Sequence, residues 1–208
     1  LFTKNIDDYS LDYVVYFINY WLTKAESLTA DGQKNLLNLY THTLFKVLQD
    51  KNEDQQHMIR LLAPSNVETL FKTYKATSTV DAVYINYHMA KIEYFNKLNQ
   101  KSKIKKSFDF VTNNYKKNTK TIEDKIVLAS FFNTWNKFNV TKELLLPEND
   151  YSLPNEDATF VLAQTLTADT NKNESTLTKL HEKAIKYNKD RWCNWITKDF
   201  QNLRIKNI

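Results

Sequence analysis

The stretch GQKNLLNLYTHTLFKVLQD, residues 32–50, decides the fold class. Its apolar residues Leu36, Leu37, Tyr40, Leu44, Phe45 and Leu48 recur at intervals of three and four. That is the period of one face of an α-helix, whereas a half-buried strand alternates at every second residue. The same period runs through most of the chain. It predicts helices over about 9–26, 32–50, 53–62, 65–76, 80–98, 102–116, 121–139, 155–168, 174–188 and 190–203. In the first, Tyr13, Phe17, Tyr20 and Trp21 are expected on one face. Two starts carry a capping-box pattern, Ser65-Asn66-Val67-Glu68 and Thr121-Ile122-Glu123-Asp124.

Composition agrees with an all-α fold. The 208 residues include one Gly, three Pro, one Cys and 23 Asn. Hairpins, bulges and barrel corners need residues at positive φ, which Gly supplies most cheaply. Asn substitutes for Gly there, but helices joined by polar turns explain the composition better than a sheet does. A single Cys193 rules out a disulfide scaffold, and the single Gly32 rules out Gly-rich nucleotide loops. The expected architecture is therefore an antiparallel helical stack or a divergent helical-repeat array of about ten helices, with no sheet. Predicted helix starts near Thr121, Asn155 and Asp190 fall 34 and 35 residues apart, a helical-repeat period. Consensus positions do not recur between them. Pro147 and Pro154 mark 145–154 as a linker. It joins an expected helical array over 1–144 to a three-helix unit over 155–208, the two packed as one body.

The net charge is +5 and the sequence pI about 9.0. The charge is segregated. Residues 1–96 hold nine basic and eleven acidic side chains, and residues 97–140 hold ten and three. Residues 141–176 hold two and seven, and residues 177–208 hold eight and three. Two basic segments thus flank an acidic one, a layout suited to phosphates or acidic partners. The most apolar stretch, 11–22, is too short to span a bilayer and is interrupted by Asp12 and Asn19, so no membrane span is expected. The sequence begins at Leu1, which reads as a processed product or an excised fragment. A lone cysteine fits a reducing compartment.

The first basic cluster comprises Lys97, Lys101, Lys103, Lys105, Lys106, Lys116, Lys117 and Lys120, with Asp109 the one acid among them. Tyr94, Phe95, Phe108, Phe110 and Tyr115 are interleaved. Lysines contact phosphates as point charges, and aromatic rings stack on bases. A solvated helix pair gives the same pattern, and the spacing of Ile104, Phe108, Val111 and Tyr115 assigns those rings to a core. A second cluster holds Arg191, Trp192, Trp195 and Lys198. Arg191 and Lys198 suit phosphate contact. Trp192 shares a stripe with Ile196, Phe200 and Leu203, the pattern of a buried helix face.

Catalytic patterns are weak. Glu53 and His57 lie one helical turn apart and suit a surface ion pair better than a metal. Cys193 has no histidine near it in sequence and reads as a small buried hydrophobe. Asp7, Asp8 and Asp12 read as charges complementing a helix N-terminus. The expectation is a protein that is not an enzyme, with no metal, cofactor or small-molecule substrate.

Residues 83–98, VYINYHMAKIEYFNKL, resemble the first helix and turn of a pentatricopeptide repeat. They share the valine–aromatic–asparagine start and the later apolar pair. The turn glycine of that family is absent. The resemblance implies paired helices stacked into a solenoid, with polar residues of the first helix reading single-stranded RNA, and makes Asn86 a candidate base reader. Many such proteins are organellar, and the fungal mitochondrial members diverge widely. Together these readings point to an RNA-binding or ribosome-associated component of a ribonucleoprotein in the mitochondrial matrix, with protein partners. The alternative is a protein–protein scaffold or assembly factor built of tetratricopeptide-like helix pairs.

Overall fold

The structure is a computed structural model. It describes residues 9–49, 56–77, 82–119 and 121–146, together with Ala158, Val161, Leu162, Gln164, Thr165, Ala168 and Asp169. Among the described residues there is no strand. The helices are α1 (Leu11–Leu22), α2 (Ala30–Gln49), α3 (Gln56–Leu61), α4 (Pro64–Thr77), α5 (Ala82–Lys97), α6 (Ile104–Asn114), α7 (Ile122–Thr134) and α8 (Phe138–Leu145). Short 3-10 turns occupy Ala25–Ser27, Lys101–Lys103 and Tyr115–Asn118. The chain divides into two compact units between Asn118 and Thr119. The expected linker is described only at Leu145 and Leu146, and the last two expected helices lie outside the described residues.

In the first unit α2 and α5 form the centre. Leu37, Tyr40, Leu44 and Val47 of α2 are fully buried, as the spacing of the opening stretch requires. On α5, Val83, Tyr84, Ile85, Tyr87, Met89, Ala90, Ile92 and Tyr94 are all buried. A helix apolar on nearly all sides must be enclosed, and α5 packs on both α2 and α6. Aromatic rings bind α2, α4 and α5 together. Tyr87 lies 6.3 Å from Tyr40 and stacks on Phe71 at 4.3 Å, while Tyr84 stacks on Tyr74 at 5.3 Å.

The α3–α4 corner is held by Tyr40. Its hydroxyl donates to the Leu62 carbonyl at 2.9 Å. The Asn66 amide goes to Ala63 instead, and Pro64 has no N–H, so Leu62 needs a donor from outside its own segment. Pro64 opens α4, which corrects the expected start at Ser65. A proline at the first helical position gives up an N–H that has no helical acceptor anyway. Ser65 therefore sits inside the helix and bonds Asn66 Oδ1 at 3.4 Å rather than capping. The Thr121 capping box does form: Thr121 Oγ1 accepts from the Asp124 amide at 3.1 Å, and Asp124 Oδ2 accepts from the Thr121 amide at 3.2 Å.

Two findings depart from the sequence reading. The buried face of α1 is Val14, Val15 and Ile18, whereas Tyr13, Tyr16 and Tyr20 are exposed. Both stripes have helical spacing, so the period alone does not choose between them. The three aliphatic side chains bury no polar atom, while each tyrosine keeps its hydroxyl in water. The expected helix over 121–139 is two helices, broken at Asn136.

That break repeats the one after α5. Asn99 and Asn136 have φ of 55° and 56° and are the non-glycine residues at positive φ among the described residues. At the first, the Gln100 amide bonds Phe95 O at 2.8 Å and the Asn99 amide bonds Asn96 O at 2.9 Å. At the second, Lys137 bonds Phe132 O at 2.8 Å and Asn136 bonds Asn133 O at 3.0 Å. Both are Schellman motifs with Asn in the left-handed position usually held by Gly. Gly32 is itself helical. A Cβ there would meet Leu28 Cβ and Thr29 Oγ1, each at 3.3 Å.

In the second unit α7 and α8 pack as a hairpin. Thr141 Oγ1 donates to Ala129 O at 3.2 Å across it. Asn133 Oδ1 accepts from Thr165 Oγ1 at 3.0 Å, and Lys142 Nζ pairs with the buried Asp169 carboxylate at 2.6 Å. One of the seven acids of the 141–176 segment is thus consumed internally.

The left-handed asparagines make the first testable statement. Asn99→Gly and Asn136→Gly are each expected to be neutral or to add up to ~1 kcal/mol of stability. Asn99→Val should cost ~1–2 kcal/mol, because a Cβ branch clashes in the left-handed region. Urea unfolding of the three variants reads the difference. A second concerns Tyr40. Tyr40→Phe leaves the Leu62 carbonyl without its donor and should cost ~1–3 kcal/mol at neutral pH. Burial raises the Tyr40 hydroxyl pKa above 10.0, with Tyr87 and Tyr94 adding to it. The native state then keeps the proton longer than the unfolded chain does. This contribution is present below pH 10.0 and is lost as pH rises beyond it. Tyr40→Phe should flatten that alkaline loss, which Tyr87, raised by burial and then by Glu68, continues to contribute.

Candidate nucleic-acid interface

The lysine cluster is built around α6. Lys101 and Lys103 lie in the 3-10 turn before it, and Lys105 and Lys106 in its first turn. Lys116 and Lys117 lie in the 3-10 turn after it. All six are exposed. The apolar stripe explains why: Ile104, Ser107 and Val111 face inward, so the intervening lysines face solvent. Nine residues lie between Lys106 and Lys116, which sets the two groups ~15 Å apart along the axis, the length of several phosphates along a strand.

The first group stands at the positive end of the helix dipole. No acidic residue occupies the first turn of α6, and Lys103, at its N-cap, makes no side-chain capping bond. Four cations are therefore added to a terminus that already carries about half a positive charge. No ion pair to Lys101, Lys103, Lys105, Lys106 or Lys117 occurs among the described residues. Lys103 Nζ sits 5.3 Å from the Phe95 ring centre, Lys116 Nζ 5.8 Å from Tyr115, and Lys117 Nζ donates to Asn114 Oδ1 at 3.1 Å. These contacts hold the ammonium groups without neutralising them.

The interleaved aromatics are packing residues. Tyr94 and Tyr115 are buried, and Phe95, Phe108 and Phe110 are half-buried. Asn86 is half-buried on α5. It lies two residues from His88, whose ring faces α6, and two residues turn a helix by ~200°. That places Asn86 on the side of α5 away from His88. Lys120, Arg191, Lys198 and the Trp192 stripe lie outside the described residues.

A polar cluster beside the lysines was not anticipated. His88 Nδ1 meets the buried Ser107 Oγ at 3.1 Å. The His88 ring stacks on Phe110 at 4.1 Å and meets Phe71 edge-on at 5.6 Å. One turn along α5, Lys91 Nζ lies 5.8 Å from the Tyr87 ring centre. Burial lowers the Lys91 pKa; Glu68 pulls it back up and Lys106 pushes it further down. The sequence held one signal for this: Ser107 is a hydroxyl on the apolar stripe between Ile104 and Val111. With Ser107 2 % exposed, the pair pins α5 to α6 rather than meeting a ligand.

No family model matches the chain, and no curated protein or solved structure matches it either.

Lys91 gives a pH prediction. A lysine with a lowered native pKa destabilises the fold while it is charged. Stability then rises with pH between its native pKa and the unfolded value of 10.5. Lys91→Met should melt at a higher temperature near neutrality, and its advantage over the native sequence should shrink as pH is raised. Thermal melts at about pH 7 and about pH 9.5, just below tyrosine ionisation, check this. A constant advantage would remove the charge from the explanation.

Proposed function

We propose that this chain is a non-enzymatic, all-helical RNA-binding or ribosome-associated component of a mitochondrial ribonucleoprotein. It docks on phosphate backbone through the lysines at the two ends of α6. The observation that carries this reading is the group Lys101, Lys103, Lys105 and Lys106, exposed and without ion pairs among the described residues, at a helix N-terminus with no acid in its first turn. Such a terminus is relieved by an anion. With Tyr94 and Tyr115 buried and Phe95, Phe108 and Phe110 half-buried, this reading takes backbone charge, rather than base stacking, as the main source of affinity. The mitochondrial assignment rests on the resemblance of residues 83–98 alone.

The finer architecture belongs to the same proposal. The turn segments YFNKLNQ (94–100) and FFNTWNK (131–137) share a pattern of two aromatics, Asn, a variable residue, an apolar residue, Asn and a polar residue. They recur 37 residues apart, and each ends the first helix of a hairpin. This supports a divergent helical-repeat array. A protein–protein scaffold is the second reading, favoured by the exposed tyrosines of α1.

Replacing Lys101, Lys103, Lys105, Lys106, Lys116 and Lys117 with Gln should weaken single-stranded RNA binding. It should also shallow the plot of log affinity against log salt by ~0.7 for each phosphate that is no longer neutralised. Anisotropy titrations at several salt concentrations measure both, with circular dichroism checking the fold. Equal affinity and an equal slope would leave the lysines as a solvated surface and end the proposal.

A further inference from the structure

The outer face of α6 and its following turn carries cations at its two ends and none between them. Lys105, Asp109, Thr112 and Lys116 follow one another at i, i+4, i+7 and i+11, and Lys106, Asn113 and Lys117 run beside them at i, i+7 and i+11. All seven are exposed, while Ile104, Ser107 and Val111 face inward. Lys106 and Lys116 stand ~15 Å apart along the axis. Asp109, Thr112 and Asn113 fill the interval, and their side chains make no hydrogen bond or ion pair among the described residues. The surroundings share the sign of the two ends. From Lys91 to Lys117 the chain carries eight lysines against Glu93 and Asp109. Of the flanking groups on α5, Lys97 is exposed and Lys91 and Glu93 are half-buried, while α4 exposes Glu68 and Lys72, one of each sign.

The uncharged and acidic middle of this face selects the form of RNA that fits it. A single strand laid along α6 brings a phosphate against Asp109, where two negative charges meet. A duplex crossed by the helix avoids that clash. Its two backbones lie on either side of a groove, so each lysine group meets one backbone and the interval meets the groove. In A-form RNA the minor groove is wide and shallow and displays 2′-hydroxyls and base edges. Those hydroxyls can donate to the Asp109 carboxylate and the Asn113 carbonyl, and accept from the Thr112 hydroxyl and the Asn113 amide. B-form DNA has no 2′-hydroxyl, and its minor groove is only about 6 Å wide.

We propose that the outer face of α6 crosses the minor groove of double-stranded RNA. Lys105 and Lys106 hold one backbone, Lys116 and Lys117 hold the other, and Asp109, Thr112 and Asn113 meet the 2′-hydroxyls between them. This rests on the RNA-binding reading and narrows it to a paired region. Recognition is then by the shape and the sugars of an A-form helix, independent of base sequence.

The test uses the full chain and three fluorescent probes at near-physiological salt. They are an RNA duplex of about 20 base pairs, one of its strands alone, and the DNA duplex of the same sequence. The RNA duplex should bind about tenfold tighter than either of the others. A surface acting through charge density alone would bind the two duplexes alike. This comparison is made on the native chain and is decisive whether or not any variant folds. Lys105→Gln with Lys106→Gln, and separately Lys116→Gln with Lys117→Gln, should each weaken the RNA duplex severalfold, because both backbones are held. The triple variant Asp109→Ala, Thr112→Ala, Asn113→Ala leaves every lysine in place and favours the helix. It should cut the preference for duplex RNA over duplex DNA to about threefold or less. Equal binding of the two duplexes, or an unchanged preference in the triple Ala variant, overturns the proposal. Equal or tighter binding of the single strand through the same lysines also overturns it, while leaving the broader RNA-binding reading intact. If none of the three probes binds, both fall together.

Discussion

The hydrogen bond from Tyr40 to the Leu62 carbonyl is the contact on which the first unit depends. It joins residues 22 apart and satisfies an acceptor stranded between two helices by Pro64. A tyrosine there does two things at once. Its hydroxyl fixes the α3–α4 corner, and its ring supports Tyr87 and, through Tyr87, Phe71. The helices α2, α4 and α5 thereby share one aromatic centre. The cost of the arrangement is a buried phenol that must stay protonated, which ties the stability of the fold to alkaline pH.

Charge is handled by the opposite strategy. The lysines of 101–117 are placed at helix ends and on the outer side of α6, where water screens them. Lys91, one turn from His88, is the exception, and its lowered pKa marks the edge of the same region. The second unit turns one ion pair inward, between Lys142 and Asp169. Net charge by segment therefore overstates how much of the acidic region is available to partners. In the basic region Lys101, Lys103, Lys105, Lys106 and Lys117 make no ion pair among the described residues, which is why the functional reading leans on them.

Helical periodicity carried most of the architecture. The stripes of α2 and α6 and the capping box at Thr121 follow directly from spacing and residue type. The left-handed asparagines were only half legible. A chain with 23 Asn and one Gly must put Asn where Gly usually stands, yet nothing local says which asparagine does so. Asn99 was expected near a helix end, while Asn136 fell inside an expected helix. The shared turn pattern at 94–100 and 131–137 was present in the sequence, 37 residues apart, and its meaning emerges from the matching hydrogen bonds.

What the sequence by itself determined is the all-helical class, the buried stripes of α2 and α6 and the exposure of the lysines, because a 3.6-residue period in apolar side chains is that of a helix with one buried face. Tertiary structure alone decided two things. It chose the aliphatic rather than the aromatic stripe of α1 as the buried one, since both have helical spacing and only the surface offered by α2 and α3 selects between them. It paired His88 with Ser107 across 19 residues, because that contact depends on how the α5–α6 hairpin closes, a long-range event that spacing within either helix does not encode.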